Sequence, residues 1–265
     1  MASTLEITSS SRVDQRFALL RSTRRKALVC YITAGHPSQD KTIDLMRGLE
    51  DAGADVIEIG VPFSDPIADG PVIQESSQHA LSLGMTLDKT LQLVRKASVH
   101  IPVVLFTYLN PLLAAGENCL RAARDAGVDG VLVTDLPVGA DREREQWLSE
   151  SGLSFVRLVA PTTPAERMRE ISSHGSGFVY LVSRLGVTGM QESLSHDLEP
   201  TINRLRESTT LPICVGFGIS DGAQAATVAK LADGVVVGSA LVKAAGRSVE
   251  DALSLAKSLR SALDT

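Results

Sequence analysis

A glutamate inside an apolar segment is the residue of this sequence that points most directly to chemistry. Glu58 interrupts the run Val56–Ile59, and a carboxylate in a buried strand loses the stabilisation that water provides. Burial raises the pKa of such a group, which suits it to acid–base chemistry, and perturbed carboxylates cluster in active sites. The alternative is a structural ion pair, for which Lys26 or Arg157 would supply the cation. We favour the acid–base role.

A second carboxylate lies in a proline-rich loop directly after that segment. The stretch Pro62–Pro71 contains three prolines, one glycine and two aspartates, Asp65 and Asp69. The prolines limit the freedom of the loop, so Asp69 is a candidate to face the same substrate as Glu58 from another side. Aspartates are also common turn formers and helix caps, and the spacing alone leaves both interpretations open.

Two glycine-rich turns late in the chain indicate a phosphate site. They are Gly216–Ser220 (Gly-Phe-Gly-Ile-Ser) and Gly238–Ala240 (Gly-Ser-Ala). Glycine lets backbone N–H groups approach an anion closely, and the loops after the last two strands of an eight-stranded barrel often bind phosphate. The alternative is a pair of tight turns that bind nothing.

The elements that would position these residues alternate regularly along the chain. Eight aliphatic segments are predicted strands: Ala27–Ile32, Asp55–Ile59, Pro102–Phe106, Gly130–Thr134, Ser154–Val159, Phe178–Val182, Pro212–Val215 and Gly234–Val237. Amphipathic segments between them are predicted helices, among them Asp40–Ala52, Ala140–Ser151 and Val249–Leu263, and another helix at about 12–22 precedes the first strand. This alternation predicts parallel strands with right-handed crossovers. Eight such units in 265 residues predict an α/β fold, a single (β/α)8 TIM barrel domain over residues 1–265 with an extra N-terminal helix.

The barrel prediction brings the candidate residues together, because the loops that follow the strands form the active-site face of this fold. Glu58, Asp69 and the glycine-rich turns would all lie there. A long irregular segment, Arg184–Ser195, follows the sixth predicted strand on the same face. Segments of that length are usually lids or binding loops.

Composition limits the classes of partner and location. Hydrophobic residues make up 44% of the chain and aromatic residues only 4%, as expected for an aliphatic core around parallel strands. The net charge is −5 and the one basic cluster, residues 21–26, is typical of a solvated helix end, so nucleic acid is an unexpected partner. No segment has the length of a membrane span, and residues 1–11 lack the apolar part of a signal peptide. We expect a soluble cytoplasmic protein.

The sequence lacks the residues that are characteristic of several other catalytic mechanisms. Three scattered cysteines and five scattered histidines show no ligand spacing, which argues against a disulfide framework and a metal site. A Schiff-base aldolase needs a buried lysine on a strand, and the nearest candidate, Lys243, falls beyond the Gly238–Ala240 turn. No Gly-x-Gly-x-x-Gly follows the first strand, so a dinucleotide is not indicated.

Four segments together resemble the tryptophan synthase α subunit family. They are Glu58–Pro71, Tyr180–Gly189, Gly216–Ser220 and Gly238–Ala240, and the likeness runs in order from about Phe17 to the C-terminus. The resemblance implies a lyase of tryptophan biosynthesis that cleaves indole-3-glycerol phosphate to indole and glyceraldehyde 3-phosphate by a retro-aldol reaction. It also implies that Glu58 is the general acid–base and that Asp69 binds the indole N–H.

The same resemblance implies the remaining site residues and the partner. Phosphate would bind at Gly189, Gly218, Gly238 and Ser239, and the indole slot would be lined by Tyr31, Phe106, Thr134, Leu158, Tyr180, Thr188, Phe217 and Val236. No cofactor is implied in this chain. A β subunit carrying pyridoxal phosphate would join it in an αββα heterotetramer and contact the loop at Asp65 and Pro66 and the region around Asn110.

Three other functions are consistent with parts of the sequence. A phosphate-barrel isomerase or a relative of indole-glycerol-phosphate synthase is one, although the synthase chemistry needs a strand lysine that is not found. A subunit that mainly activates a β partner and turns over little alone is another. The third is a stand-alone lyase that exports indole. Indole release by the chain, with and without a β subunit, discriminates between them.

Overall fold

Within the part of the chain that the structure describes, short aliphatic segments form nine parallel strands that surround the centre of the molecule. The structure, a computed structural model, describes residues 11–182, 191–216 and 218–265, with the side chains of 191–197 excepted. The strands are β1 Ala27–Thr33, β2 Val56–Gly60, β3 Val103–Thr107, β4 Gly130–Val133, β5 Ser154–Phe155, β6 Arg157–Val159, β7 Val179–Val182, β8 Ile213–Gly216 and β9 Gly234–Val237. All pair in parallel in the order β5-β4-β3-β2-β1-β9-β8-β7-β6.

The two outer strands of this sheet close the barrel, because they are halves of one segment. β5 pairs with β4, with Val131 opposite Phe155, whereas β6 pairs with β7, with Arg157 opposite Val179. Only Val156 separates them, and its N–H donates to the carbonyl of Val131 at 2.9 Å. The predicted (β/α)8 barrel is confirmed, and its fifth strand is divided where the segment changes neighbour.

The helices pack outside the barrel, apart from the first. Their bounds are α1 Arg12–Ser22, α2 Gln39–Asp51, α3 Pro71–Ser82, α4 Leu87–Ala97, α5 Leu109–Ala115, α6 Cys119–Ala126, α7 Arg142–Ser149, α8 Ala165–Ser173, α9 Gln191–Ser208, α10 Gly222–Ala229, α11 Ser239–Arg247 and α12 Val249–Leu263. Among the described residues, none of these helices has both the length and the apolar character needed to cross a bilayer.

Two differences from the predicted bounds have a clear local cause. Helix α7 begins at Arg142 rather than at 140, because the Asp141 carboxylate accepts the N–H of Arg144 at 3.0 Å and caps the helix there. Helix α9 begins at Gln191, so the last five residues of the predicted loop 184–195 are helical. Apolar residues recur every third or fourth position from Leu194 to Leu205 in the sequence, and that period continues the helix back into the segment.

Side chains of the strands alternate between the barrel interior and the helices. In β1, Leu28, Cys30 and Ile32 belong to the large outer cluster, while Val29 belongs to the inner one. Helix α1 contributes Phe17 to the inner cluster, with its ring centroid 5.4 Å from that of Phe178. This helix closes the amino-terminal end of the barrel, so the carboxyl ends of the strands are left for a site.

Candidate active site

A cavity of about 500 Å³ opens at the carboxyl ends of the strands. Ten of the predicted site residues line it: Tyr31, Glu58, Asp69, Phe106, Thr134, Leu158, Tyr180, Gly218, Gly238 and Ser239. They come from β1, β2, β3, β6 and β7 and from the segments after β2, β4, β8 and β9. The fold therefore brings together residues that are up to 208 positions apart in the chain, as the barrel prediction required.

Four predicted residues are not among those that line this cavity. Thr188, Gly189 and Phe217 lie outside the described residues. Val236 is described, is 2% exposed and belongs to the inner cluster. It lies opposite Val29, two positions before Tyr31 on β1, and therefore one layer of side chains deeper than the cavity.

Glu58 lies inside the barrel because it alternates with two residues that face the helices. Ile57 and Ile59 belong to the outer cluster, whereas Glu58 is 0% exposed and lines the cavity. Neither carboxyl oxygen has a hydrogen-bond partner within the described part of the chain. Burial raises the pKa of this group to about 8, so the side chain carries a proton at neutral pH and is able to donate it.

The two cations considered as partners for Glu58 are engaged elsewhere. Lys26 donates to the carbonyl of Ala232 at 2.8 Å, and Arg157 pairs with Glu145 at 3.0 Å. The proposed structural ion pair of Glu58 is therefore not formed within the described residues.

Asp55, three positions earlier, shows what a structural buried carboxylate looks like in this protein. It is also 0% exposed, but one oxygen accepts the N–H of Leu28 at 2.8 Å and pairs with Arg260 at 2.9 Å. The other oxygen pairs with Arg16. Buried polar groups are normally satisfied in this way, so the unpartnered carboxyl of Glu58 needs a functional explanation.

Two tyrosine rings form the walls around Glu58, and glycines make room for them. Tyr31 lies opposite Glu58 in the sheet register, and its ring packs edge-on against Phe106 with centroids 5.2 Å apart. A side chain at Gly60 would overlap the Tyr31 hydroxyl, and one at Gly216 would overlap the hydroxyl of Tyr180. The result is a mainly apolar slot lined by aromatic rings, which suits an aromatic bicycle.

Asp69 enters the same cavity from the loop after β2. Helix α3 begins after Gly70 without a side-chain cap, so neither Asp65 nor Asp69 caps it, although both had been possible caps. Asp69 is half-buried, and this burial raises the pKa of its carboxyl to about 6. The group is therefore largely ionised at neutral pH, unlike Glu58.

Tyr108 holds this loop in place and is a functional residue that sequence reasoning missed. Its hydroxyl accepts the N–H of Ala68 at 2.9 Å and also hydrogen-bonds to Asp69, which lowers the pKa of that carboxyl. Its ring lies 5.0 Å from that of Phe63 in the same loop. The available signal was its position directly after β3, where active-site residues of this fold are found.

Tyr108→Phe is expected to raise the pKa of Asp69, because the substitution removes a hydrogen bond that favours the ionised carboxylate. The acidic limb of the activity profile should move to higher pH, while the rate on the plateau changes less. A pH profile of kcat/KM measures both. An unchanged acidic limb would mean that Tyr108 supports only the loop backbone.

Glycine-rich backbone forms the opposite end of the cavity. Gly218 has a φ of 85°, in the left-handed region that favours glycine. Gly238 precedes helix α11, and no side chain caps this helix. The first N–H groups of a helix carry partial positive charge and bind anions well, so this end of the cavity is suited to a phosphate group.

A larger cavity of about 700 Å³ lies between α7 and α8, away from these groups. Its central cation, Arg157, pairs with Glu145 and also donates to the carbonyls of Leu136 at 3.2 Å and His174 at 3.0 Å. Arg157 and Glu145 therefore satisfy each other, and their contacts in this cavity are structural. Across the described residues, no three His, Cys, Asp or Glu side chains are grouped as metal ligands.

Comparison with known families settles which kind of barrel this is. The family model for the tryptophan synthase alpha chain matches residues 17–263. The chain belongs to the tryptophan synthase alpha chain family. Members of this family are lyases of tryptophan biosynthesis that cleave indole-3-glycerol phosphate, and that activity is the function of this chain.

Named relatives of the family match over nearly the whole chain. A tryptophan synthase alpha chain of Laribacter hongkongensis is 48% identical over 262 residues, covering 96% of this chain and 99% of the relative. One from Geotalea daltonii is 48% identical over 235 residues, covering 88% and 89% respectively. The resemblance inferred from the four motifs is therefore confirmed.

Solved structures of tryptophan synthase alpha subunits share the fold. The alpha subunit of Legionella pneumophila is 37% identical and superimposes with a TM-score of 0.88, covering 96% of this chain and 98% of the other. A chain of tryptophan synthase from M. tuberculosis in its aminoacrylate-bound form is 32% identical with a TM-score of 0.86, covering 96% and 99%.

Proposed function

We propose that Glu58 is the general acid–base of the cleavage and that Asp69 stabilises the indole nitrogen. The observation that carries this proposal is the fully buried carboxyl of Glu58, without a partner among the described residues and facing the same cavity as Asp69 and the glycine-rich turns. A proton donor, a negative charge and an anion site are the three groups that a retro-aldol cleavage of a phosphorylated indole needs.

The first step is proton transfer from the Glu58 carboxyl to C3 of the indole. The ring then carries positive charge at its nitrogen, and the carboxylate of Asp69 accepts the ring N–H and stabilises that charge. The pKa values of about 8 for Glu58 and about 6 for Asp69 supply a protonated and an ionised carboxyl at the same pH. This difference supports the acid role of Glu58.

The second step breaks the carbon–carbon bond and returns the proton. The Glu58 carboxylate removes the proton from the hydroxyl on the carbon attached to C3, and that carbon becomes the aldehyde. The electrons of the broken bond re-form the C2–C3 double bond of indole and neutralise the nitrogen. One proton leaves Glu58 and one returns, so the enzyme is regenerated, and each transfer contributes about 10²–10⁴-fold.

We propose that the phosphate lies against the backbone at Gly218, Gly238 and Ser239. The left-handed φ of Gly218 and the uncapped start of α11 support this placement. Gly189 would add a further N–H, and Thr188 would close over the substrate near Asp69; both residues fall outside the described part of the chain. The indole ring would occupy the slot between Tyr31, Phe106 and the neighbouring pocket residues.

Gly218→Val is expected to weaken phosphate binding, because a branched side chain disfavours the left-handed backbone that aims the N–H groups. The affinity for indole-3-propanol phosphate should fall, whereas that for indole-3-propanol, which lacks phosphate, should change little. Calorimetric titration of both compounds measures the difference. An unaltered affinity for the phosphorylated compound would contradict the phosphate site.

We propose that this chain acts without a cofactor of its own, as one domain in the cytoplasm, and that it joins a pyridoxal-phosphate-containing β subunit in an αββα heterotetramer. The family supports the partner. Ile67, next to Asp65 and Pro66, is 85% exposed, and Leu113, near Asn110, is 41% exposed. These exposed apolar side chains lie in the two regions where the β subunit is expected.

Indole release from indole-3-glycerol phosphate tests the proposed function directly. The chain is assayed alone and with its β subunit, and sedimentation of the mixture reports the complex. We expect indole and glyceraldehyde 3-phosphate in equal amounts, with a faster rate in the complex. Activity only in the complex would favour the activating-subunit role. Activity without formation of a complex would favour the stand-alone lyase. No indole under either condition would overturn the proposal.

A further inference from the structure

One lysine lines the end of the cavity where the phosphate is proposed to bind. It follows the glycine-rich turn Gly238–Ala240 and does not belong to it. Lys243 is the fifth residue of α11, four positions after Ser239. Side chains four apart lie on the same face of a helix, and each leans toward the helix N-terminus. Both residues line the cavity, whereas Leu241 and Val242 between them are buried. Lys243 is therefore on the same helix face as Ser239, and its side chain leans toward the start of the helix.

The titratable side chains that line the cavity are mainly acidic, so a bound phosphate would need a cation to balance its charge. Two carboxyl groups line it, Glu58 and Asp69, and Lys243 is the only lysine or arginine among the described lining residues. A phosphate brought into this space adds two more negative charges to a cavity that already contains the carboxylate of Asp69, which is ionised at neutral pH. Backbone N–H groups alone supply only partial charge against that repulsion.

Lys243 is also unengaged among the described residues, unlike Lys26, Lys41 and Lys89. Lys26 and Lys89 donate to backbone carbonyls at 2.8 and 2.6 Å, and Lys41 pairs with Asp44 at 3.5 Å. Lys243 has no hydrogen bond or ion pair with any part of the chain that the structure describes, and it is exposed on α11. Its side chain is therefore able to meet a ligand without breaking any contact within the described residues.

We propose that Lys243 is a phosphate-binding residue whose ammonium group neutralises the dianion at the start of α11. The inference rests on the proposed function, because it assigns a side chain to the phosphate end of the same site. Lys243 takes no part in proton transfer. It raises the affinity of the protein for the phosphorylated substrate, and so produces a preference for that substrate over an unphosphorylated indole compound.

The test compares Lys243→Gln with Lys243→Arg and with a control, Lys257→Gln, which removes an exposed lysine of α12 that does not line the cavity. Affinities for indole-3-propanol phosphate and indole-3-propanol are measured at low and high salt. We expect Lys243→Gln to weaken binding of the phosphorylated compound by about 10- to 100-fold, the value of a charge-assisted hydrogen bond. The affinity of Lys243→Gln for the phosphorylated compound should also depend less on salt than that of the wild type. Lys243→Arg should retain part of the affinity that Lys243→Gln loses.

The outcomes separate this inference from the proposed function. Equal affinities of the wild-type protein and Lys243→Gln for the phosphorylated compound would overturn the role of Lys243 and leave the proposed function intact. An equal loss for both compounds would also overturn it, because that result means a disturbed pocket. In turnover, the loss should fall on KM rather than on kcat. A wild-type protein that binds neither compound and releases no indole would overturn the proposed function and this inference together.

Discussion

Glu58→Gln is expected to reduce the rate of indole formation by at least about 10²–10⁴-fold, while binding of indole-3-propanol phosphate stays close to that of the wild type. The amide has the shape of the carboxyl group but neither donates the proton to C3 nor removes one from the hydroxyl. Single-turnover indole release and calorimetric titration measure the two quantities. Near-normal turnover in this variant would reject the assigned role.

The same substitution should stabilise the protein at alkaline pH. The pKa of Glu58 in the folded state is about 8, above its ordinary value of 4.5, so the folded state holds the proton more tightly than the unfolded state. This contribution to stability is complete below about pH 4.5 and is lost as the pH rises through 8. Glutamine carries no such dependence. The difference in the free energy of unfolding between variant and wild type should therefore grow from pH 5 to pH 9.

Asp55→Asn provides the matched control for that effect. Asp55 is as deeply buried as Glu58, but it pairs with Arg16 and Arg260. Its replacement removes the buried carboxylate that two guanidinium groups share, and although Arg260 keeps its pair with Asp264, we expect a loss of stability at both pH values. Urea unfolding of both variants at pH 5 and pH 9 should therefore show opposite signs at alkaline pH. A destabilised Glu58→Gln at pH 9 would contradict the argument that this carboxyl is held in place for chemistry.

The framework of the site was predictable because its signals are local. Glu58 stands out since its neighbours in β2 are aliphatic, and the alternation of strands and helices is sufficient to predict the barrel. The two glycine-rich turns were equally visible. In a barrel these signals also fix the relative position of the groups, because every strand of the sheet ends on the same face.

Other features depend on contacts between distant segments. The fifth predicted strand divides at Val156 because β5 and β6 have different neighbours. The partner of Arg157 proved to be Glu145, on the outside of the barrel. How deep Val236 lies in the barrel interior depends on the register in which β9 pairs with β1. None of these follows from the period of the apolar residues.

Two roles were hidden because the residues have ordinary alternatives. Gly60 could have been a simple strand end and Gly216 was assigned to the phosphate turn, but they make room for the hydroxyls of Tyr31 and Tyr180. Tyr108 could have been a core aromatic, yet its hydroxyl holds the backbone at Ala68. In both cases the role involves a residue that is distant in sequence, so it appears only in the fold.

Asp69→Asn is expected to lower kcat/KM for indole formation by about 10- to 100-fold, because a neutral amide oxygen still accepts the indole N–H but no longer balances the charge on the ring. The affinity for indole-3-propanol phosphate should fall much less, since the ground-state indole is neutral. Steady-state kinetics and titration of the analogue separate the two. A loss of binding with unchanged kcat would make Asp69 a positioning residue.

The pH profile gives an independent test of the pair. The wild-type rate requires Asp69 ionised and Glu58 protonated, so kcat/KM should decline below about pH 6 and above about pH 8. Asp69→Asn removes the acidic group and should abolish the lower limb while leaving the upper one. Glu75→Gln, which removes an exposed carboxylate of α3 that does not line the cavity, should keep both limbs. If the lower limb persists in Asp69→Asn, it is due to the titration of another group, such as the substrate phosphate. That result would mean that the negative charge of Asp69 is not required for the reaction.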